Sequence, residues 1–270
     1  MIHFVVALLP EAKPLIDYYH LKALPHLKPF KLYEGDGKRL IISGIGKARA
    51  ANATVFLHTF SGNVKNQAWL NIGIGGHAKH ALGDGILAHK ITDQATNESW
   101  YPPIVFESPC PTESVLTVAH PEMKYRTSQV YDMEAAGFYS TATRFSSAEL
   151  VQCYKVISDN PESSTKKISA AFVENLIADH LKNINAIVKE LTKLRAELAG
   201  IKMEPAEFQK LISHWHFTVS EQHRLSRFLK RFKIVMPEEK VWSNELQTLK
   251  RAKDVLKFLE ESINSAPVTL

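Results

Sequence analysis

Short apolar runs that end at glycines or charged residues constrain the fold of the first 160 residues most strongly. A run of this length, bounded by turn residues, is typical of a strand that is buried on both faces. The first run leads into a charged, Pro-containing segment, for which we expect a loop. The runs cover residues 2–9, 39–43, 69–74, 86–92, 115–118 and 151–157.

Helical periodicity separates these runs. Residues 47–60 and about 133–143 carry apolar side chains at three- to four-residue spacing, which predicts two helices. A longer helix should follow, capped by Ser164 or Thr165 and with apolar residues on one face as far as Leu191. Strands and helices in this arrangement predict an α/β fold with a central mixed β-sheet flanked by helices.

The pattern changes near residue 200. Beyond it the sequence contains no further run of strand type and reads as three amphipathic helices at about 204–214, 218–231 and 243–264. We therefore predict a sheet-containing domain at residues 1–192 and a small all-α C-terminal domain at residues 200–270.

Charge points to no single class of partner. The net charge is +5, but basic and acidic residues are mixed along the whole chain. In the C-terminal region Arg224, Arg227, Lys230 and Arg231 alternate with apolar residues, which indicates a packing helix with a solvated basic face. A nucleic acid or protein partner of the C-terminal helices stays open as the alternative.

The cysteines and the N-terminal residues indicate a cellular compartment. Cys110 and Cys153 lie in no metal-ligand or redox spacing, so we expect neither a disulfide framework nor a zinc site. The apolar N-terminal run lacks a basic leader, and no stretch approaches the roughly 20 apolar residues of a membrane span. A cytoplasmic protein with no membrane partner is expected.

Two glycine motifs follow predicted strands. The first is not an NTPase phosphate loop, because Ala48 replaces the metal-binding Ser or Thr and the upstream glycine is missing. The second has the spacing of a dinucleotide fingerprint, but the turn at residues 83–85 leaves no room for the required helix. Both motifs are either tight turns or places where the backbone approaches a ligand. They read Ser43-Gly44-Ile45-Gly46-Lys47 and Gly73-Ile74-Gly75-Gly76.

Two later motifs complete the set: Tyr131-Asp132-Met133-Glu134-Ala135-Ala136 and Val156-Ile157-Ser158-Asp159. Together they resemble the ribose- and base-binding signature of the methylthioadenosine/S-adenosylhomocysteine nucleosidases and their nucleoside phosphorylase relatives. Glu11 and the glycine motifs fall into the order of that superfamily, and the resemblance covers about residues 1–190. It implies a nucleoside phosphorylase-like fold, a small-molecule nucleoside substrate, no cofactor or metal, and a homodimer.

The resemblance also implies roles for three carboxylates. Asp159, beside Ser158, would be the general acid that protonates the leaving base, and Glu11 would activate the attacking water. Glu134 would accept hydrogen bonds from both ribose hydroxyls, with Met133 packing under the sugar. Each carboxylate also has an ordinary interpretation: a helix N-cap for Asp159, a first-turn helix residue for Glu134, and a solvated loop charge for Glu11.

Further residues are expected around the substrate. Ile74 and Gly75 would contact it, and Ser43 and Gly44 would lie on the side of the nucleophile. The chain departs from the family pattern at Ile74, where a small hydroxyl residue is usual. The base-contacting segment is shortened to about residues 115–122, so the identity of the base stays open.

We predict hydrolysis of the N-glycosidic bond of a purine-type nucleoside. Phosphorylases of this superfamily hold phosphate with arginines, because a dianion needs fork-like donors, and the stretches around Glu11 and before Gly73 contain none. Lys13, Lys47 and Arg49 could still supply positive charge, so a phosphorylase stays an alternative. A nucleoside-binding protein with weak or no catalysis is the third hypothesis.

Overall fold

The computed structural model describes residues 1–25, 28–163, 168–202 and 206–266. The chain divides into two compact units, Met1–Leu198 and Ala199–Leu270. The sheet lies in the first unit, and the second unit is helical. No helix in the described part of the chain combines the length and the apolar character that a membrane span requires.

The first unit is built on one mixed sheet, as expected. Strand β1 lies parallel to β4 and β5, and β5 lies parallel to β10. One part of the sheet is a closed ring of paired strands in the order β5, β10, β6, β8, β9 and back to β5. The other part extends from β5 through β1, β4, β3 and β2. The strands are β1 (Ile2–Val6), β2 (Lys22–Ala23), β3 (Lys31–Gly35), β4 (Lys38–Ile42), β5 (Ala68–Gly76), β6 (Gly85–Asp93), β7 (Ser99–Trp100), β8 (Thr112–Thr117), β9 (Val130–Asp132) and β10 (Val151–Asp159).

Helices cover both faces of this sheet, which explains the continuous apolar runs. Phe4 and Val5 are adjacent in β1 but point into different cores, because successive strand side chains alternate between faces. One core includes α1, α4 and α5, and the other includes α2 and α3. The helices are α1 (Leu9–Tyr18), α2 (Lys47–Phe60), α3 (Ala135–Ala142), α4 (Ala170–Asp179) and α5 (Leu181–Lys202).

Two expectations for the first unit are wrong. The segment after the first strand is a helix, not a loop: Pro10 lies in its first turn, where no N–H partner is needed, and Leu15 is buried against the sheet. The predicted long helix is broken at His180, whose ring nitrogens lie 2.6 Å from the Tyr154 hydroxyl and from the carbonyl oxygen of Gly83. Its first segment, α4, is capped by Ser169, whereas Ser164 and Thr165 lie outside the described residues.

The second unit has its own hydrophobic core. The predicted helix at 243–264 is two helices, because the chain leaves the helix at Thr248 and restarts after Arg251. Thr218 caps α7 and accepts a hydrogen bond from the backbone N–H of Glu221. The helices are α6 (Ala206–His214), α7 (Val219–Val235), α8 (Asn244–Gln247) and α9 (Ala252–Ser265).

Candidate active site

A cavity of about 200 Å³ lies at the carboxyl ends of the parallel strands β1, β5 and β10. The ends of parallel strands are the usual place for a ligand in a sheet covered on both faces. The residues that line it are Ala7, Leu8, Glu11, Ile45, Ile74, Gly75, Gly76, Val118, Pro121, Glu122, Tyr131, Asp132, Met133, Glu134, Ser158, Asp159 and Ile168.

The fold brings most of the predicted site residues to this cavity. Glu11, Glu134 and Asp159 all line it, although 148 positions separate the first from the last. The predicted substrate-contacting residues line it as well: Met133, Ser158, Ile74 and Gly75. The geometric requirement for a single site is therefore met.

Ser43 and Gly44 do not line the cavity. The Ser43 hydroxyl donates to the carbonyl oxygen of Val6 at 3.2 Å, and the Gly44 N–H donates to the carbonyl oxygen of Ala7 at 3.0 Å. The two residues fasten the end of β1 to the turn before α2. These hydrogen bonds are made to backbone carbonyl oxygens.

Glu11 is buried and fixed by three backbone groups. Its Oε2 accepts the N–H groups of Ala7 at 3.0 Å and Leu8 at 2.8 Å, and its Oε1 accepts the N–H of Ile74 at 3.1 Å. Burial raises the pKa of Glu11, and these hydrogen bonds and Lys155 oppose the rise. The side chain is therefore a rigid internal carboxyl and not a solvated loop charge.

Glu134 lies just before α3. Its Oε1 accepts the N–H of Gly46, the residue that precedes α2, at 2.7 Å. Burial, followed by the neighbouring charge of Asp132, raises the pKa of Glu134 to about 7, and Lys155 opposes the rise. The pKa of Glu134 therefore lies near neutral pH.

Lys155 and Asp132 form a buried ion pair that the sequence interpretation missed. Lys155 Nζ lies 2.7 Å from Asp132 Oδ2, and both side chains are almost fully inaccessible. Burial lowers the pKa of Lys155, but Asp132 and then Glu134 outweigh it and hold the pKa above its usual value. A lysine in the middle of a predicted buried strand was the available signal.

Asp159 ends β10, and each of its carboxyl oxygens has a hydroxyl partner. Ser158 Oγ donates to Oδ1 at 2.5 Å, and the Tyr125 hydroxyl donates to Oδ2. The following turn is capped by Asn160, whose side chain accepts the backbone N–H of Ser163 at 2.9 Å. The N-cap interpretation of Asp159 is therefore wrong.

A cluster of possible metal ligands lies close to the cavity but outside its lining. Single ligand atoms of His77, His80 and Glu113 lie within 4.8 Å of one another. His77 Nδ1 accepts the backbone N–H groups of Lys79 and His80, at 3.0 and 2.9 Å. A neutral ring that accepts at Nδ1 carries its proton on Nε2, so His77 has no free lone pair for a cation.

The sequence matches no protein-family model and no curated protein. Solved structures match in fold. The apo 5'-methylthioadenosine nucleosidase of Arabidopsis thaliana is 15% identical, with a TM-score of 0.58 over 70% of this chain and 95% of that chain. The 5'-methylthioadenosine/S-adenosylhomocysteine nucleosidase of Neisseria meningitidis, in complex with methylthio-immucillin-A, is 18% identical, with a TM-score of 0.55 over 70% and 98%.

A futalosine hydrolase mutant of Helicobacter pylori is similar as well, with 15% identity and a TM-score of 0.50 over 70% of this chain and 98% of that chain. At these identities the likeness establishes the fold. The chain shares the fold of these solved nucleosidases, and the matched 70% leaves room for the additional C-terminal helices.

Proposed function

We propose that this protein hydrolyses the N-glycosidic bond of a purine-type nucleoside. The observation that carries the proposal is the convergence of Glu11, Glu134 and Asp159 around one cavity of about 200 Å³. Cleavage of this bond develops positive charge on the sugar and negative charge on the base. Carboxylates on the sugar side and a proton donor on the base side are what such a reaction needs.

Glu134 would hold the ribose. One of its oxygens already accepts the N–H of Gly46, and the remaining acceptor positions suit the two vicinal hydroxyls. Each hydrogen bond to a charged carboxylate contributes about 1.5–3 kcal/mol. Because the diol favours the ionised form, substrate binding would lower the pKa of Glu134 from its value of about 7.

Glu11 would activate the attacking water. A carboxylate offers about four acceptor positions, of which backbone N–H groups occupy three in Glu11. The remaining position can take one water at the cavity wall. Burial makes this carboxyl more basic than usual, which suits a group that removes a proton from water.

Asp159 would protonate the base. Its partners Ser158 and Tyr125 are hydroxyls, which can either donate or accept, so neither prevents Asp159 from carrying a proton. The loop that contributes Pro121 and Glu122 lies at the same cavity, and its contacts with the base would decide which purine is accepted.

The charges favour water over phosphate as the nucleophile. The lining includes five carboxyl residues, whereas no lysine or arginine occurs among the described lining residues. Lys13 is engaged with Glu174 at 2.8 Å and Lys47 with Asp93 at 2.5 Å. A phosphate dianion would meet repulsion in this cavity, and a neutral nucleoside would not.

A panel of purine nucleosides, with and without inorganic phosphate, tests the proposal. We expect release of free base and ribose at a rate that phosphate does not change. Formation of sugar 1-phosphate would identify a phosphorylase, and calorimetric binding without release of base over hours would identify a binding protein. The cytoplasmic location, the homodimer and a partner of the C-terminal helices stay predictions.

A further inference from the structure

Tyr125, in the loop between β8 and β9, combines a buried side chain with a left-handed backbone conformation. It is the only buried side chain in residues 119–129, all of which the structure describes. Its backbone has φ of 43°, in the left-handed region that non-glycine residues rarely adopt. Such conformations persist where the surrounding structure enforces them, and they are enriched at functional sites.

The ring of Tyr125 is packed so that its hydroxyl reaches the end of β10. It contacts Tyr131 edge to face, with ring centroids 6.0 Å apart. A Cβ at Gly76 would lie only 2.7 Å from Tyr125 Cε1, so glycine is required for this close approach. The hydroxyl then donates to Asp159 Oδ2.

A hydroxyl partner suits a carboxyl group that must lose its proton. When Asp159 is protonated, the Tyr125 oxygen can accept its proton in a hydrogen bond; when Asp159 is ionised, the Tyr125 hydroxyl donates to it. An ammonium or guanidinium group could only donate and would hold Asp159 in the ionised form. Burial, and then the bond to Asp159, raises the pKa of Tyr125, so this hydroxyl keeps its own proton.

We propose that Tyr125 is the positioning residue for the acid: it orients Asp159 and stabilises the carboxylate that forms as the proton passes to the leaving base. This inference rests on the proposed function. In the step, the O–H bond of Asp159 breaks and an N–H bond forms on the base, which takes the electron pair of the glycosidic bond. Water adds its hydroxide to the sugar carbon and gives its proton to Glu11; solvent then restores both carboxyls.

The stabilisation grows with the charge on Asp159, so it acts mainly in the transition state and not in the bound substrate. Tyr125→Phe keeps the ring and removes only the hydroxyl. For a purine nucleoside we expect kcat to fall by about 10- to 100-fold, the size of a hydrogen bond to a charged group, with KM within about threefold of the wild-type value. Tyr19→Phe, which removes a hydroxyl bonded to Asn185 outside the cavity, is the matched control and should leave both constants unchanged.

A substrate whose leaving group needs no proton separates this role from a structural one. With p-nitrophenyl β-D-ribofuranoside, Tyr125→Phe should retain kcat within about threefold, because nitrophenolate leaves without an acid. In the double variant Tyr125→Phe/Asp159→Asn, kcat should be the same as in Asp159→Asn alone, since the effect of the Tyr125 hydroxyl passes through Asp159.

An active wild type with an unchanged kcat in Tyr125→Phe would overturn this inference and leave the proposed function standing. A lower KM for the purine nucleoside in Tyr125→Phe would also overturn it, because the hydroxyl would then compete with the base for Asp159. An equal loss of kcat on the purine nucleoside and on the nitrophenyl riboside would indicate a structural role and would overturn the inference as well. A wild-type protein that releases no base from any nucleoside would refute the proposed function and the inference together.

Discussion

Lys155 Nζ and Asp132 Oδ2 lie 2.7 Å apart in a pair that is almost completely shielded from water. The ammonium group also lies close to Glu11, because both side chains face Gly73. A Cβ placed at Gly73 would be 3.6 Å from Lys155 Nζ and 2.9 Å from Glu11 Oε1. Asp132 in turn accepts the N–H of Ala135 at 2.8 Å at the start of α3. One buried cation thus holds together the acidic side of the cavity.

Removing this cation should be costly for folding. In Lys155→Met the buried carboxylates lose their counter-charge, and we expect the free energy of unfolding to fall by about 3–5 kcal/mol. Denaturant unfolding measures the effect, with Lys193→Met on an exposed position of α5 as the control. A loss below about 1 kcal/mol would show that the pair does not stabilise the site as described.

Glu134 should make stability depend on pH. Its pKa is raised from 4.5 to about 7, so in the folded protein it stays protonated at pH values where the unfolded chain is already ionised. The contribution of Glu134 to the free energy of unfolding is therefore most favourable below about pH 4.5, and it is lost as the pH rises through about 7. The difference in Tm between Glu134→Gln and the wild type should therefore increase in favour of the variant from pH 5 to pH 9.

The control for this prediction is Glu197→Gln, at an exposed position of α5. It should show no such trend. A Tm difference for Glu134→Gln that stays constant with pH would contradict the burial of a titrating carboxyl at this position.

Substitutions at two glycines of β5, Gly73 and Gly76, should affect the Glu11 end and the Asp159 end of the cavity separately. A Cβ at Gly73 would lie 2.9 Å from Glu11 Oε1, whereas a Cβ at Gly76 would clash with Tyr125 and with the Asp159 carboxyl. We expect Gly73→Ala to impair hydrolysis of both a purine nucleoside and p-nitrophenyl β-D-ribofuranoside, because both need the activated water. Gly76→Ala should impair mainly the purine nucleoside; the same substrate dependence in both variants would contradict this assignment of the ends.

His3 should make the protein sensitive to acid. It is fully buried against Trp69, with ring centroids 4.4 Å apart, and neither ring nitrogen has a hydrogen-bond partner within the described residues. Burial, followed by the charge of Arg39, lowers the pKa of His3 from 6.5 to about 3. Its contribution to stability is present above about pH 6.5 and is lost as the pH falls toward about 3.

His3→Phe should therefore lose less stability than the wild type between pH 7 and pH 4, as measured by denaturant unfolding at each pH. His89→Phe, at an exposed position of β6, serves as the control. Parallel pH profiles for His3→Phe and the wild type would show that His3 does not contribute to acid unfolding.

The apolar runs predicted β1, β4, β5, β6, β8 and β10, because a strand covered on both faces leaves a continuous hydrophobic signal. The short strands β2, β7 and β9 and the partly exposed β3 leave no such signal, and Pro10 disguised the start of α1. His180 breaks a continuous helical periodicity through contacts with Tyr154 and Gly83, which are distant in sequence.

In the candidate site, too, some residues could be predicted from local sequence patterns, and others are defined only by tertiary contacts. Glu134 and Asp159 stand in short motifs whose context is visible in the sequence, and the fold brings them together. Tyr125 reaches Asp159 from a loop with no motif, across 34 positions, and Lys155 is paired with Asp132 through tertiary contacts alone. Interactions of this kind depend on how loops and strands are placed in space, which local patterns do not encode.

The steady-state hydrolysis of the best purine nucleoside by Asp159→Asn tests most directly whether Asp159 is the general acid. We expect kcat to fall by about 10²–10⁴, the usual contribution of a general acid, while circular dichroism and Tm stay those of a folded protein. A folded Asp159→Asn variant with wild-type kcat would show that Asp159 is not the acid.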